Sequence, residues 1–217
     1  MAYASRVNTF AKELSILSQR YVEQKHLFGY LQRRAEIIND LMTTRLTKLP
    51  QMVADLTQAI DMNNSDGGKF INGLLGEAAL ARFIYWRRED YGLVRPQFNP
   101  RDDAHGHTDL LMRNRYGVVG YISIKASTYK SPPPLTVLSW KLGNMQWSDV
   151  LEESLPPGFD QFNGEFQEPD IEDPSTHVAG FALIAINEIN LQNLQFYEKP
   201  ANAIRSGLDT FANLVPG

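Results

Sequence analysis

From His177 to Ile189 the chain reads HVAGFALIAINEI, with apolar residues at both odd and even positions. Alternate side chains of a strand point to opposite faces, so an extended segment apolar at both parities has to be covered from both sides. Such a strand belongs in the interior of a sheet with packed layers around it. The expectation is an α/β sandwich with a mixed central sheet flanked by helices.

Helical patterns fill the first third. Phe10, Leu14, Leu17 and Tyr21 repeat at heptad-like spacing, as do Leu27, Leu31, Ile38 and Leu41, with Arg34 interrupting the second stripe. Pro50 suits a helix's first turn, and Val53, Leu56 and Ile60 form a third stripe. NNSDGG, residues 63–68, breaks the pattern. Residues 1–62 therefore read as an N-terminal helical region that packs on a core formed by residues 63–217. Within that core a helix is expected over roughly 69–88. An edge strand interrupted by Pro96 should follow over 93–98, then strands at 108–113 and 118–126 joined by an NRYG turn. Three prolines at 132–134 end that unit. A weaker strand is expected at 135–140, a short helix in MQWSDVLEESL, a long loop over 156–176, and a closing helix in PANAIRSGLDTFANLV.

The 217 residues contain no cysteine, which excludes disulfides, thiolate nucleophiles and cysteine-ligated zinc. The first residues, MAYASRVNTFAKEL, carry no apolar h-region, and no stretch approaches membrane-spanning length, so a cytoplasmic protein is expected. The net charge of −4 is unevenly spread. Nine acidic and no basic residues lie between Asp149 and Asp173, whereas residues 1–148 hold 19 basic and 13 acidic ones. Global acidity thus does not count against a polyanionic partner.

Three polar residues stand where apolar ones would cost less. Phe70, Leu74, Glu77, Ala81 and Ile84 share one helical stripe, with Glu77 in its middle. A carboxylate buried there requires a cation, a metal or a raised pKa; otherwise the helical face is wide enough for Glu77 to reach solvent. On the strands, Asp109 and Leu111 point one way and Leu110 and Met112 the other. Tyr121, Ser123 and Lys125 share a face opposite Ile122 and Ile124. A hairpin centred on Tyr116 pairs Asp109 near Ser123 or Lys125. Two carboxylates and a lysine then converge, and a hard divalent cation with oxygen ligands relieves such repulsion. The bland readings are a strand-end lysine in solvent and a strand-start carboxylate.

The constellation resembles the PD-(D/E)XK nuclease superfamily, the fold of many type II restriction endonucleases. In that family an acid begins one strand, a (D/E)-x-K tripeptide ends the next, and a helix glutamate often completes the site. Thr108–Asp109 resembles the first element, Ser123–Ile124–Lys125 the tripeptide and Glu77 the glutamate. The resemblance implies a restriction-endonuclease-like core and a Mg²⁺-dependent endonuclease (Mn²⁺ as substitute) acting on DNA. Glu77, Asp109 and the Ile124 carbonyl would hold the metal, Lys125 would position the attacking water, and Ser123 would support by hydrogen bonding. Cleavage of both strands by one site per chain implies a homodimer. Ser123 replaces the tripeptide acid, leaving Glu77, or Glu152 or Glu153, to compensate. The alternative is a catalytically inactive nuclease-fold module that binds nucleic acid or a protein. HGHTD, His105 to Asp109, also matches part of the H-x-H-x-D-H pattern of metallo-β-lactamase-fold hydrolases, but Leu110 stands where the last histidine belongs. Tyr85, Trp86, Trp140 and Trp147 read as core or interface residues, and Arg87 and Arg88 as a solvated helix end.

Overall fold

A computed structural model describes residues 3–17, 24–61, 67–98, 108–127, 136–142 and 175–217. Four helices come first: α1 (Tyr3–Leu17), α2 (Gln24–Thr43), α3 (Leu49–Asp61) and α4 (Gly67–Arg87). The hairpin β1 (Leu110–Arg113) and β2 (Val119–Ser127) follows, then β3 (Val137–Trp140) and β4 (His177–Ala185). A short 3-10 turn leads into the two-residue strands β5 (Ile189–Asn190) and β6 (Gln195–Phe196), and helix α5 (Glu198–Ala212) closes the chain.

The larger sheet has the order β1-β2-β4-β3 and is mixed. β1 runs antiparallel to β2, β2 parallel to β4, and β3 antiparallel to β4. Interior position explains the apolar HVAGFALIA run, since every residue of β4 after His177 is buried. The hairpin register follows the arithmetic of its turn: Leu110 faces Ile122 and Met112 faces Gly120. Asn114 holds the turn. Its Oδ1 accepts the N–H groups of Tyr116 and Val118, and its Nδ2 donates to the Phe211 carbonyl in the last turn of α5 and to the Leu214 carbonyl just after it. The expected 93–98 strand is reduced to a single bridge from Gln97 to Leu111 at the sheet edge, as a proline inside it requires.

Even-numbered residues of all four strands share one face, and both α4 and α5 pack on it. α4 crosses the end carrying Ala126 and Ile184, so closely that a Cβ on Gly76 would come 2.9 Å from the Ala126 Cβ. α5 covers the other end, where the Trp140 ring lies over Gly180, stacks on Phe211 at 4.5 Å and donates its indole N–H to the Gly207 carbonyl. On the opposite face Phe181 and Leu183 are fully buried as well. α2 packs against α4, and α1 and α3 pack beside them; Ile37, Ile38, Leu41, Leu56 and Ile60 join the same core as Leu74, Ala78 and Ile84. Among the described residues, no helix is long and apolar enough to cross a membrane.

One expectation about α4 needs correction. Phe70 is not on the buried stripe: it is 43% exposed, because it lies in the helix's first turn, ahead of the point where Gly76 meets the sheet. Leu74, Glu77, Ala81 and Ile84 are all buried. The expected MQWSDVLEESL helix, the triple proline, His105, His107, Glu152, Glu153 and the acidic stretch lie outside the described residues.

A candidate cation site between α2, α4 and the hairpin

Glu77 is buried to 6% exposure in the middle of α4, and a cation faces it. That cation is Arg34, the residue that interrupts the apolar stripe of α2. Its Nη2 lies 2.5 Å from Glu77 Oε2 and 3.4 Å from Asp109 Oδ1. The guanidinium and the Glu77 carboxylate stand at ion-pair distance. All three side chains are at most 14% exposed, which removes much of the screening that weakens surface pairs. One guanidinium nitrogen therefore holds together two carboxylates from elements distant in the sequence.

Asp109 stands one residue before β1 and does two jobs. Its backbone N–H donates to the carbonyl of Ile122, the residue that Leu110 faces in the ladder, so the chain steps out of register there. Its Oδ2 accepts the Ile124 N–H at 2.7 Å, a donor that β1 is too short to reach. A side-chain acceptor thus stands in for a missing strand carbonyl, which satisfies a backbone donor that burial would otherwise penalise. The Ile124 carbonyl projects toward the same edge as its N–H, the Asp109 side of β2. Asp109 Oδ1 is left to turn toward Arg34.

Ser123 is buried on β2 between Ile122 and Ile124, the two residues whose backbone groups bond to Asp109. Lys125 is half-buried two residues along the same strand, on the face opposite Ala126 and hence opposite α4. Among the described residues, no hydrogen bond or ion pair joins Lys125 to either acid. The structure thus brings Glu77 and Asp109 to one point, aims the Ile124 backbone at it, and sets Ser123 beside it. Lys125 reaches neither acid. No group of three or more His, Asp or Glu residues stands close enough to share an ion among the described residues.

Arg34 is the participant that sequence reasoning missed. Its signal was present: a charged residue on an apolar stripe, matching a carboxylate on another. The pair of carboxylates is a hard-oxygen donor set of charge −2, and that chemistry fits a divalent cation. The fit requires Arg34 to give up the place between them. Comparison with protein-family models, with curated proteins and with solved structures finds no match to this chain.

Proposed function

We propose that the chain is a Mg²⁺-dependent DNA endonuclease with a restriction-endonuclease-like core, whose catalytic site is built on Glu77 and Asp109. The observation that carries this reading is the convergence of the two acids on a single cation, with Asp109 heading one strand and Ser123–Ile124–Lys125 near the end of the next. Glu77, Asp109 and the Ile124 carbonyl would hold the metal. Bound there, magnesium supplies Lewis acidity that makes water nucleophilic near neutral pH and screens phosphate charge. Asp109 is held in orientation by the Ile124 N–H, so one of its oxygens is fixed while the other is presented to the cation. Lys125 places a positive charge on the strand face that a phosphodiester would approach. Arg34, once displaced from the acids, adds a second. Two chains acting together on the two DNA strands would form a homodimer, and a cytoplasmic location follows from the same reading.

A second reading is favoured by a specific observation. Arg34 already neutralises the acids, and Ser123 contributes no carboxylate, which describes a nuclease-fold module that binds nucleic acid or protein without cleaving. A plasmid-nicking assay with Mg²⁺ or Mn²⁺ separates the two. The nuclease reading expects cleavage that falls roughly a hundredfold or more in Glu77→Ala, Asp109→Ala and Lys125→Ala. Wild-type protein that leaves supercoiled, linear and branched DNA intact at several salt concentrations would support the silent module. Cleavage undiminished in these variants would place the site elsewhere.

A further inference from the structure

At the C-terminal end of α4 the charge pattern is reversed. A cavity of about 750 Å³ opens there, lined by the last two turns of α4, the segment after α2, β6 and the start of α5. Its volume suits a small organic ligand. Four arginines line it: Arg45, Arg82, Arg87 and Arg205, against a single acid, Glu198. Arg82 is committed to structure. Buried to 5% exposure, it donates through Nη1 to the carbonyls of Leu41, Met42 and Thr44 and so closes the C-terminal end of α2. Burial also pulls its pKa below the ordinary arginine value.

The other three arginines are not committed in this way. Among the described residues Arg45, Arg87 and Arg205 form no ion pair. Arg87 lies over the Phe83 ring at 4.9 Å, and Arg205 donates to the Asn202 side chain one turn back. Asp209, a turn further along α5, makes no ion pair with Arg205. Three guanidinium groups around one cavity match the charge and fork geometry of a phosphate better than those of a single carboxylate.

Three aromatic residues share the lining with Leu46, Leu194, Gln195 and Ala201. Phe83 and Phe196 meet edge to face at 5.9 Å, and Trp86 is 54% exposed, its indole N–H tied to the Met42 carbonyl. An exposed tryptophan whose ring is pinned in place offers a stacking platform of low conformational cost. Leu194 completes the wall, buried although its backbone is left-handed at φ 53°, a conformation that bulky residues rarely adopt.

We propose that this cavity binds a nucleoside monophosphate group, with the base stacked on the aromatic wall of Trp86, Phe83 and Phe196 and the phosphate held by Arg45, Arg87 and Arg205. The ligand is either a free nucleotide or the phosphate-bearing end of a single strand; the recognised chemistry is the same. The site is distinct from the acid pair, because Trp86 lies nine residues beyond Glu77, about 14 Å along the helix and on its opposite side. The proposal therefore stands whether or not the chain cleaves DNA.

The test is calorimetric titration of the full chain with deoxyadenosine monophosphate, adenosine, inorganic phosphate and hexanoate, each taken to millimolar concentration. Binding of the nucleotide is expected, with adenosine and phosphate each at least about tenfold weaker, and a similar loss in Arg205→Ala and Arg87→Ala. Trp86→Leu is expected to weaken the nucleotide more than it weakens phosphate. Phosphate-ended and unphosphorylated short single strands then identify the source: a tighter phosphate-ended strand points to a strand terminus, and a tighter free nucleotide to the monomer. The absence of nucleotide binding, phosphate binding as tight as the nucleotide, preference for hexanoate, or affinity unchanged in both arginine variants would overturn the proposal.

Discussion

The middle of α4 and its C-terminal end handle arginine in opposite ways. At Glu77 a single guanidinium from α2 lies between two shielded carboxylates, and the charges are answered within the protein. Around Phe83 and Trp86 four guanidiniums, one of them committed to structure, line an open cavity with one carboxylate among them, and the excess awaits an anion from outside. The difference separates two kinds of polar site. Where the protein supplies both signs, removing a member leaves a buried charge exposed to its like, and stability depends on the set. Where it supplies one sign, removing a member relieves repulsion, and only binding depends on it.

The largest effect should come from Arg34→Ala. Deleting the partner of buried carboxylates typically costs about 3–5 kcal/mol, to be read from urea unfolding, with part recovered by millimolar Mg²⁺. A loss under about 1 kcal/mol would erase the contrast between the two sites. Arg82→Ala should come next, at about 2–3 kcal/mol, because the Leu41 and Thr44 carbonyls lose this donor and that of Met42 keeps only the Trp86 indole. Since α2 carries Arg34 and Arg45 follows it, this variant should weaken both sites together. By contrast, Arg45→Ala and Arg205→Ala should change stability by no more than about 0.5 kcal/mol. A larger loss would mean that these groups hold the fold rather than a ligand.

The smallest effect is a pH-dependent one, at a position away from both sites. Burial, and then the charge of Asp40, pushes the Tyr3 phenol well above its ordinary value of 10.0. Its folded form favours the neutral phenol, so its contribution is complete below pH 10.0 and declines as the unfolded chain ionises above it. Tyr3→Phe should flatten that decline in unfolding measured at alkaline pH, while losing the bond to the Met52 carbonyl.

Much of this architecture was legible without coordinates, because periodicity reports burial. The two-parity run of β4 placed a strand inside a sheet, and the spacing around Tyr116 set the β1–β2 register. Glu77 on an apolar stripe announced a need for a cation. What sequence could not supply was the partner's name, since Arg34 lies 43 residues away and only the packing of α2 on α4 brings it near. Lys125 shows the converse limit. Strand parity put it on the face of Ser123, but parity says nothing about whether α4 crosses that face, and α4 crosses the other. The arginine cavity was hidden for a similar reason: Arg45, Arg87 and Arg205 come from three segments, and only tertiary packing gathers them. Trp86, unlike the buried Trp140, lies exposed, a distinction that composition alone cannot draw.

The central claim is that Glu77 and Asp109 form one cation site, held by Arg34 in the free protein and available to a divalent metal. Titrating Mn²⁺ into wild type, Arg34→Ala and Arg34→Ala/Asp109→Asn, each shown to be folded, addresses it directly. The account predicts that Mn²⁺ binds Arg34→Ala more tightly than wild type and that adding Asp109→Asn abolishes the gain. Equal affinity in all three proteins, or no binding by any, would contradict it.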